Sequence, residues 1–282
     1  MSTRPAIAVT GSTGAVGGRV ARDLAARGIP QRLLVRDAAR APRLDGGDVH
    51  VAGYSDRDAA LRALDGVETL FMVSASESAD RVEHHRTFID AAATAGVRHV
   101  VYTSFLAAAP DAVFTLGRDH AATEEALRGS GMDATLLRDN FYMDMMELFA
   151  GDDGAIRGPA GDGRCSLVSR ADVAATAVSV LLDPAPHRGR VYDLTGPEAL
   201  TLAEVADRIS LVRGTRVRFV DETVEEAYAS RARYGAPRWQ LDAWVSTYTA
   251  IASGELAGIS GDVEAVTGRP PQSFEEFLGA VS

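Results

Sequence analysis

Lysine is missing altogether from this chain, whose 29 basic residues are all arginine. A biased codon composition is the simplest origin of that gap, but the chemical consequence holds whatever the origin. No Schiff base, P-loop phosphate cradle or Tyr-x-x-x-Lys carbonyl mechanism is available without an ε-amine. Cysteine is nearly as scarce. Cys165 stands alone, so no internal disulfide can form, and no nearby Cys/His pairing points to a nucleophile. Long hydrophobic runs are lacking too: none approaches the roughly 20 residues that cross a bilayer, and no charged-then-apolar leader precedes the first apolar run. The cytoplasm is therefore the expected location. Positive charge is in deficit, with a net charge of −10 at pH 7, which argues against nucleic acid or an anionic membrane surface as partner. His84 and His85 stand in a polar stretch without ligand spacing, so no metal is expected.

What is present is an ordinary globular balance, 46% hydrophobic and 24% charged over 282 residues, enough for one large or two small domains. The most informative stretch is residues 6–20, AIAVTGSTGAVGGRV. It reads as a short buried strand, a glycine turn and the start of a helix. Gly11 permits the tight turn, Gly14 lets the backbone approach a pyrophosphate, and Gly17 lets the helix pack closely on the strand. The unpaired N–H groups opening the helix then face the phosphates with the favourable end of its dipole. A second strand at Gln31–Val35 completes the context that separates a dinucleotide fingerprint from a chance glycine pattern.

Apolar runs alternating with amphipathic stretches give the rhythm of parallel βαβ units. Strands are expected near 49–51, 69–73, 99–103 and 134–138, with helices near 56–64, 79–95 and 118–128. The fold class is α/β: a Rossmann-type doubly wound parallel sheet with a smaller C-terminal α/β substrate region. The expected domains are residues 1–140, binding NAD(P), and 141–282, binding substrate, with some later elements returning to the main sheet. Residues 151–163 read as turn-rich. Beyond them the pattern gives helices near 170–182, 202–211, 224–234, 239–253 and 274–278, and strands near 190–194 and 216–220.

Ordered motifs run through nearly the whole chain. These are Thr10-Gly11-Ser12-Thr13-Gly14; Val35-Arg36-Asp37; Gly53-Tyr54-Ser55-Asp56; Leu64-Asp65-Gly66-Val67; Ser74-Ala75-Ser76-Glu77; Ala95-Gly96-Val97; Tyr102-Thr103-Ser104; Leu137-Arg138 with Asn140-Phe141-Tyr142; and Ser169-Arg170-Ala171-Asp172-Val173-Ala174. In this order and spacing the chain resembles the NmrA-like branch of the atypical short-chain dehydrogenases, and within it the bacterial type-2 NAD(P)H:quinone oxidoreductases.

The resemblance implies a cofactor site made by Gly11, Ser12, Thr13, Gly14, Ala15, Val16 and Gly17 around the pyrophosphate, with Arg36 and Tyr54 at the adenosine end. Ser74, Ala75, Ser76, Ser104, Asn140, Phe141 and Arg170 would serve the nicotinamide half. Arg36 stands where a carboxylate selects NAD, so NADP is the expected cofactor, with NAD possible because Asp37 follows directly. Gly53 stands where the family commonly has Asp. The tyrosine-lysine pair of ordinary short-chain dehydrogenases is missing, and His120 occupies the position where many relatives carry their lysine. Tyr142 or His120 is the candidate catalytic residue, to orient the acceptor or donate a proton, while a solvated surface role for His120 stays open. Phe141, Met145 and Phe149 fall at helical spacing, as core or as an apolar wall for a flat aromatic substrate.

Without a strong proton donor, reduction of a simple ketone to an alkoxide is disfavoured, whereas a quinone spreads the incoming charge into a phenolate-like product. The expected function is an NADPH-dependent reductase of a quinone or related conjugated acceptor. Alternatives are a dinucleotide-binding redox sensor without turnover, or a tailoring reductase or isomerase of an aromatic metabolite. Oligomeric state is not legible.

Overall fold

In the computed structural model, which describes residues 6–151 and 153–280, the apolar runs become strands of one large sheet. In chain order the first half comprises β1 (Ile7–Thr10), α1 (Ala15–Ala26), β2 (Gln31–Val35), β3 (Gly47–Val51), α2 (Arg57–Leu64), β4 (Thr69–Met72), α3 (Arg81–Thr94), β5 (His99–Phe105), α4 (Thr115–Gly129) and β6 (Asp133–Asp139). The second half runs α5 (Met143–Phe149), β7 (Ala155–Gly158), β8 (Arg164–Cys165), α6 (Arg170–Leu182), β9 (Val191–Leu194), β10 (Leu200–Thr201), α7 (Leu202–Arg213), β11 (Arg218–Asp221), α8 (Val224–Arg231), α9 (Arg238–Ser253), α10 (Asp262–Thr267) and α11 (Phe274–Ala280).

The seven-stranded sheet has the order β3-β2-β1-β4-β5-β6-β9, and its pairs from β3 through β5 are parallel. Every residue of β2, β4 and β5 is buried, as expected of parallel strands covered on both faces. The chain builds outward from β1 to β3, then returns to lay β4 on the other side of β1. That reversal puts the topological switch point, where doubly wound sheets hold their ligands, at the carboxyl ends of β1 and β4. One apolar cluster on this sheet joins Leu34, Leu64, Met72, Phe88, Tyr102 and Leu127, locking α2, α3 and α4 in place.

The chain forms two compact units that interleave along the sequence instead of dividing at residue 140. The first takes residues 1–104, 120–138 and 173–192, and the second takes 105–119, 139–172 and 193–282. The return of β9 to the main sheet was anticipated in outline, but the departure of residues 105–119 was not. The physical reason lies in its side chains. Phe105 and Phe114 pack against Phe141 with tilted and edge-on rings, 5.1 and 5.3 Å between ring centres, and Leu106 joins the same core with Met143, Ile156 and Ile251.

In the second unit the turn-rich stretch conceals one short strand, β7, and a second, β8, follows directly after it. β7 pairs in parallel with β11, and β8 pairs antiparallel with β10. Thr201 and Thr223 close the starts of α7 and α8 with capping boxes to Glu204 and Glu226. Glu226 thus serves its helix terminus.

Candidate functional site

The glycine turn has the geometry its spacing implies. Gly11 has φ +63°, and its carbonyl accepts from the Gly14 N–H at 2.8 Å. A Cβ on Gly17 would lie 2.4 Å from the Gly11 carbonyl oxygen and 2.6 Å from that of Thr10, so only glycine lets α1 sit this close to β1. Gly14 caps α1 without any side-chain hydrogen bond, and no acidic residue occupies the first turn. Thr13, Gly14 and Ala15 are exposed, whereas Ser12, Val16 and Gly17 are buried. The Ser12 hydroxyl is buried without a hydrogen-bond partner among the described residues. A helix of 12 residues with an uncapped, acid-free start, a glycine cradle and an unsatisfied hydroxyl beneath it fits a pyrophosphate.

Two residues after β2, the Asp37 carboxylate accepts from the Ala39 N–H at 2.9 Å and caps a short 3-10 turn. Arg36 is exposed and makes no ion pair among the described residues. Asp37 thus has one local backbone partner, and the Arg36 guanidinium lies in solvent.

Across the switch point, the turn after β4 is tied to the end of β1. The Val73 N–H donates to Thr10 Oγ1 at 2.9 Å, and the Tyr54 hydroxyl donates to the Val73 carbonyl at 2.5 Å. The Tyr54 hydroxyl also meets Thr10 Oγ1 at 2.7 Å, and its ring stacks on Phe88 at 4.3 Å. Tyr54 therefore braces the two strand ends instead of leaving its hydroxyl for adenine. The Ser74 N–H donates to Thr103 Oγ1 at 2.8 Å; Ser74 and Ala75 are half-buried and Ser76 is exposed.

Other residues expected at the site are committed elsewhere. Ser104 is fully buried and donates to Glu124 Oε1 at 2.6 Å, inside a cluster completed by Arg138 and Arg128. His120 is neither a surface residue nor a free proton donor. It is buried, with Nε2 accepting from Arg81 at 3.0 Å and Nδ1 at 3.0 Å from the Tyr102 hydroxyl. Burial, then the Arg81 and His85 charges, hold its pKa well below the ordinary histidine range.

In the second unit, Asn140 uses both ends of its amide. Nδ2 donates to Ser166 Oγ and the Leu256 carbonyl, while Oδ1 accepts from the Phe141 N–H and Cys165 Sγ. Burial pushes the Cys165 thiol pKa far up, so it is inert. Asn140 and Phe141 thus organise that unit's interior and offer no free group to a nicotinamide. Met145 and Phe149 pack partly buried against the same core, the alternative read for that stripe. Tyr142 donates its hydroxyl proton to Asp139, and the Arg170 guanidinium lies 4.4 Å from the tyrosine ring centre while pairing with Asp144. Burial, reinforced by the Asp139 charge, raises the Tyr142 pKa well above that of free tyrosine. At neutral pH it is a fixed hydroxyl, not a ready acid.

The sequence reading missed Arg81, His85 and Glu124. The available signal was an arginine and a histidine four residues apart at the start of the helix after β4, a spacing that puts both on one face. His85 is fully buried, and burial together with the Arg81 and His84 charges lowers its pKa to about 3. Both buried histidines thus stay neutral in the folded chain. The unfolded chain takes up protons near pH 6.5, so their contribution to stability is complete above that value and is lost as pH falls toward the folded pKa. Below pH 6.5 each should remove stability with a slope approaching about 1.4 kcal/mol per pH unit. Urea titrations at pH 7 and pH 5 check this, and an unchanged midpoint would refute it.

The NmrA-like family model matches residues 3–238. An NAD(P)H azoreductase from Xenophilus azovorans is 36% identical over 279 residues, covering 97% of each chain. The Escherichia coli quinone oxidoreductase QOR2, solved in complex with NADPH, is 32% identical and superposes with a TM-score of 0.88 over 98% of this chain and 99% of its own. The triphenylmethane reductase of Citrobacter sp., solved with NADP(H), is 28% identical with a TM-score of 0.86, over 98% of this chain and 100% of that one. With a family match across most of its length and relatives above 30% identity end to end, the chain belongs to the NmrA-like family.

Proposed function

We propose that this chain is an NADPH-dependent reductase that passes hydride to a quinone or a related conjugated, aromatic acceptor such as a dye. The observation that carries the reading is the open phosphate cradle at Gly11–Gly14–Gly17 combined with an unpaired Arg36 whose acidic neighbour is occupied as a cap. The printed activities of the azoreductase, the quinone oxidoreductase and the triphenylmethane reductase support the same acceptor class.

The dinucleotide, when bound, supplies the hydride. The residues of this chain would hold it: the backbone N–H groups of Thr13 and, at the start of α1, of Ala15 and Val16 would receive the pyrophosphate, Arg36 the 2′-phosphate, and the turn after β4 borders the switch point. Neither expected donor is free to give a proton. The His120 ring nitrogens are engaged inside the first unit, and the Tyr142 hydroxyl is held by Asp139 in the second. A ketone would then leave an alkoxide without an acid to meet it. A quinone becomes a phenolate-like anion, whose conjugate acid lies near ~10 by analogy with tyrosine, and water can protonate it. Orientation of the reactants supplies the acceleration. A buried free thiol at Cys165 suits a reducing cytoplasm.

Mixing the purified chain with NADPH and 1,4-benzoquinone and following the nicotinamide absorbance tests the proposal. Turnover well above the uncatalysed rate supports it; tight binding without turnover makes the chain a sensor. Arg36→Glu should raise the NADPH dissociation constant roughly 10- to 100-fold, the worth of a charge-assisted contact, while NADH, whose 2′-hydroxyl a carboxylate can receive, binds as well as before or better. Equal losses for both coenzymes would remove Arg36 from the phosphate.

A further inference from the structure

The turn from Ser74 to Ser76 is held by its backbone from an unexpected direction. The Ala75 N–H donates to His85 Nε2 at 2.9 Å, and the Ala75 carbonyl accepts from Arg81 Nε at 2.9 Å. Both main-chain groups of one turn residue are thus gripped by side chains from the first turns of α3. The grip is itself supported. His85 Nδ1 lies 2.8 Å from Thr123 Oγ1, and Arg81 reaches His120 Nε2, whose Nδ1 meets the Tyr102 hydroxyl.

The directions of donation fix both rings. A nitrogen that receives an N–H must carry a lone pair, so Nε2 is bare in both histidines and, in the neutral rings, Nδ1 holds the proton. Arg81 is 4% exposed, His85 is fully buried and His120 is 5% exposed, so the linkage is shielded from water. Placing a guanidinium and two imidazoles inside an α/β core is costly unless their hydrogen bonds are made. Here those bonds converge on one turn, beside the carboxyl end of β4.

We propose that Arg81, His85 and His120 are positioning residues that fix the β4–α3 turn as one wall of the dinucleotide site. On this account His120 acts through Arg81 and does not touch the acceptor. The inference rests on the reading that a dinucleotide binds at the switch point.

The test uses the full chain, NADPH and 1,4-benzoquinone, with Arg81→Met, His85→Leu and His120→Leu beside the conservative Arg81→Lys and His85→Gln. A loosened wall raises the NADPH dissociation constant and KM about tenfold or more, and lowers kcat by up to roughly 100-fold, while the KM for benzoquinone stays put. His85→Gln, whose amide oxygen can accept from the Ala75 N–H, recovers most of the loss. The Ala75 amide, protected from hydrogen exchange in the wild type, exchanges faster in His85→Leu. Should Arg81→Met fail to fold, Arg81→Lys and the Ala75 exchange rate carry the same comparison. Variants that fold and bind NADPH as the wild type does would overturn this inference alone. A wild-type chain that takes up no NADPH would overturn the dinucleotide reading and this inference with it.

Discussion

Gly17→Ala should abolish useful dinucleotide binding, with the affinity for NADPH falling by on the order of 100-fold or more. The added methyl would sit 2.4 Å from the Gly11 oxygen and 2.6 Å from both the Gly11 carbonyl carbon and the Thr10 oxygen. All three atoms are backbone, so no rotamer change relieves the overlap. Either α1 lifts from β1 or the turn at Gly11 reopens. Reopening the turn would break the hydrogen bond from the Gly14 N–H to the Gly11 carbonyl at 2.8 Å. Overpacking of this kind costs about 1–3 kcal/mol in stability, which a chain of this length can survive. Affinity suffers more, because the pyrophosphate needs several N–H groups aimed at once. Calorimetric titration with NADPH, alongside a melting curve, separates the two losses. Retained affinity would mean that the phosphates lie elsewhere.

The largest stability effect is expected at Glu124. Its carboxylate, 1% exposed, accepts from Ser104 at 2.6 Å, from Arg138 at 2.8 and 2.7 Å, and from Arg128 at 2.8 Å. Burial opposes the charged form, yet hydrogen bonds from Arg138 and Ser104 outweigh it and leave the pKa below the ordinary glutamate value. Glu124→Ala strips the Ser104 hydroxyl and the Arg138 guanidinium of their acceptor beneath the sheet. Breaking such a pair from one side costs about 3–5 kcal/mol. Glu124→Gln keeps the shape and one acceptor and should cost less. Denaturant midpoints for the two variants check the order. If Glu124→Ala were as stable as Glu124→Gln, the cluster would be incidental to folding.

How legible was all this in the one-dimensional sequence? The glycine turn was legible because positive φ and close backbone approach demand one residue type and so imprint directly on the sequence. The strands of the main sheet were legible because burial on both faces leaves continuous apolar runs, as in TLFM of β4 and HVVYTSF of β5. The NmrA-like resemblance followed from motifs placed at those strand ends, and the family match agrees with it. Much less could be read where a residue's role depends on partners far along the chain. β7 pairs with β11 more than 50 residues away, and its glycine-rich flanks masked it. Arg81, Tyr102 and His120 converge on one cluster from three elements, and a histidine near a helix start looks the same locally whether it is solvated or buried. Asn140 likewise looked like a ligand contact at a strand end, yet its four hydrogen bonds all turn inward.

The interleaving of the two units carries a consequence for how this chain can be rebuilt. The polypeptide passes from one unit to the other at 104/105, 119/120, 138/139, 172/173 and 192/193. Neither unit can be excised as one uninterrupted piece, and a graft that exchanges either one must exchange three separate stretches together. During synthesis, the ribosome has to deliver β9 at Val191–Leu194 before the edge of the large sheet is complete.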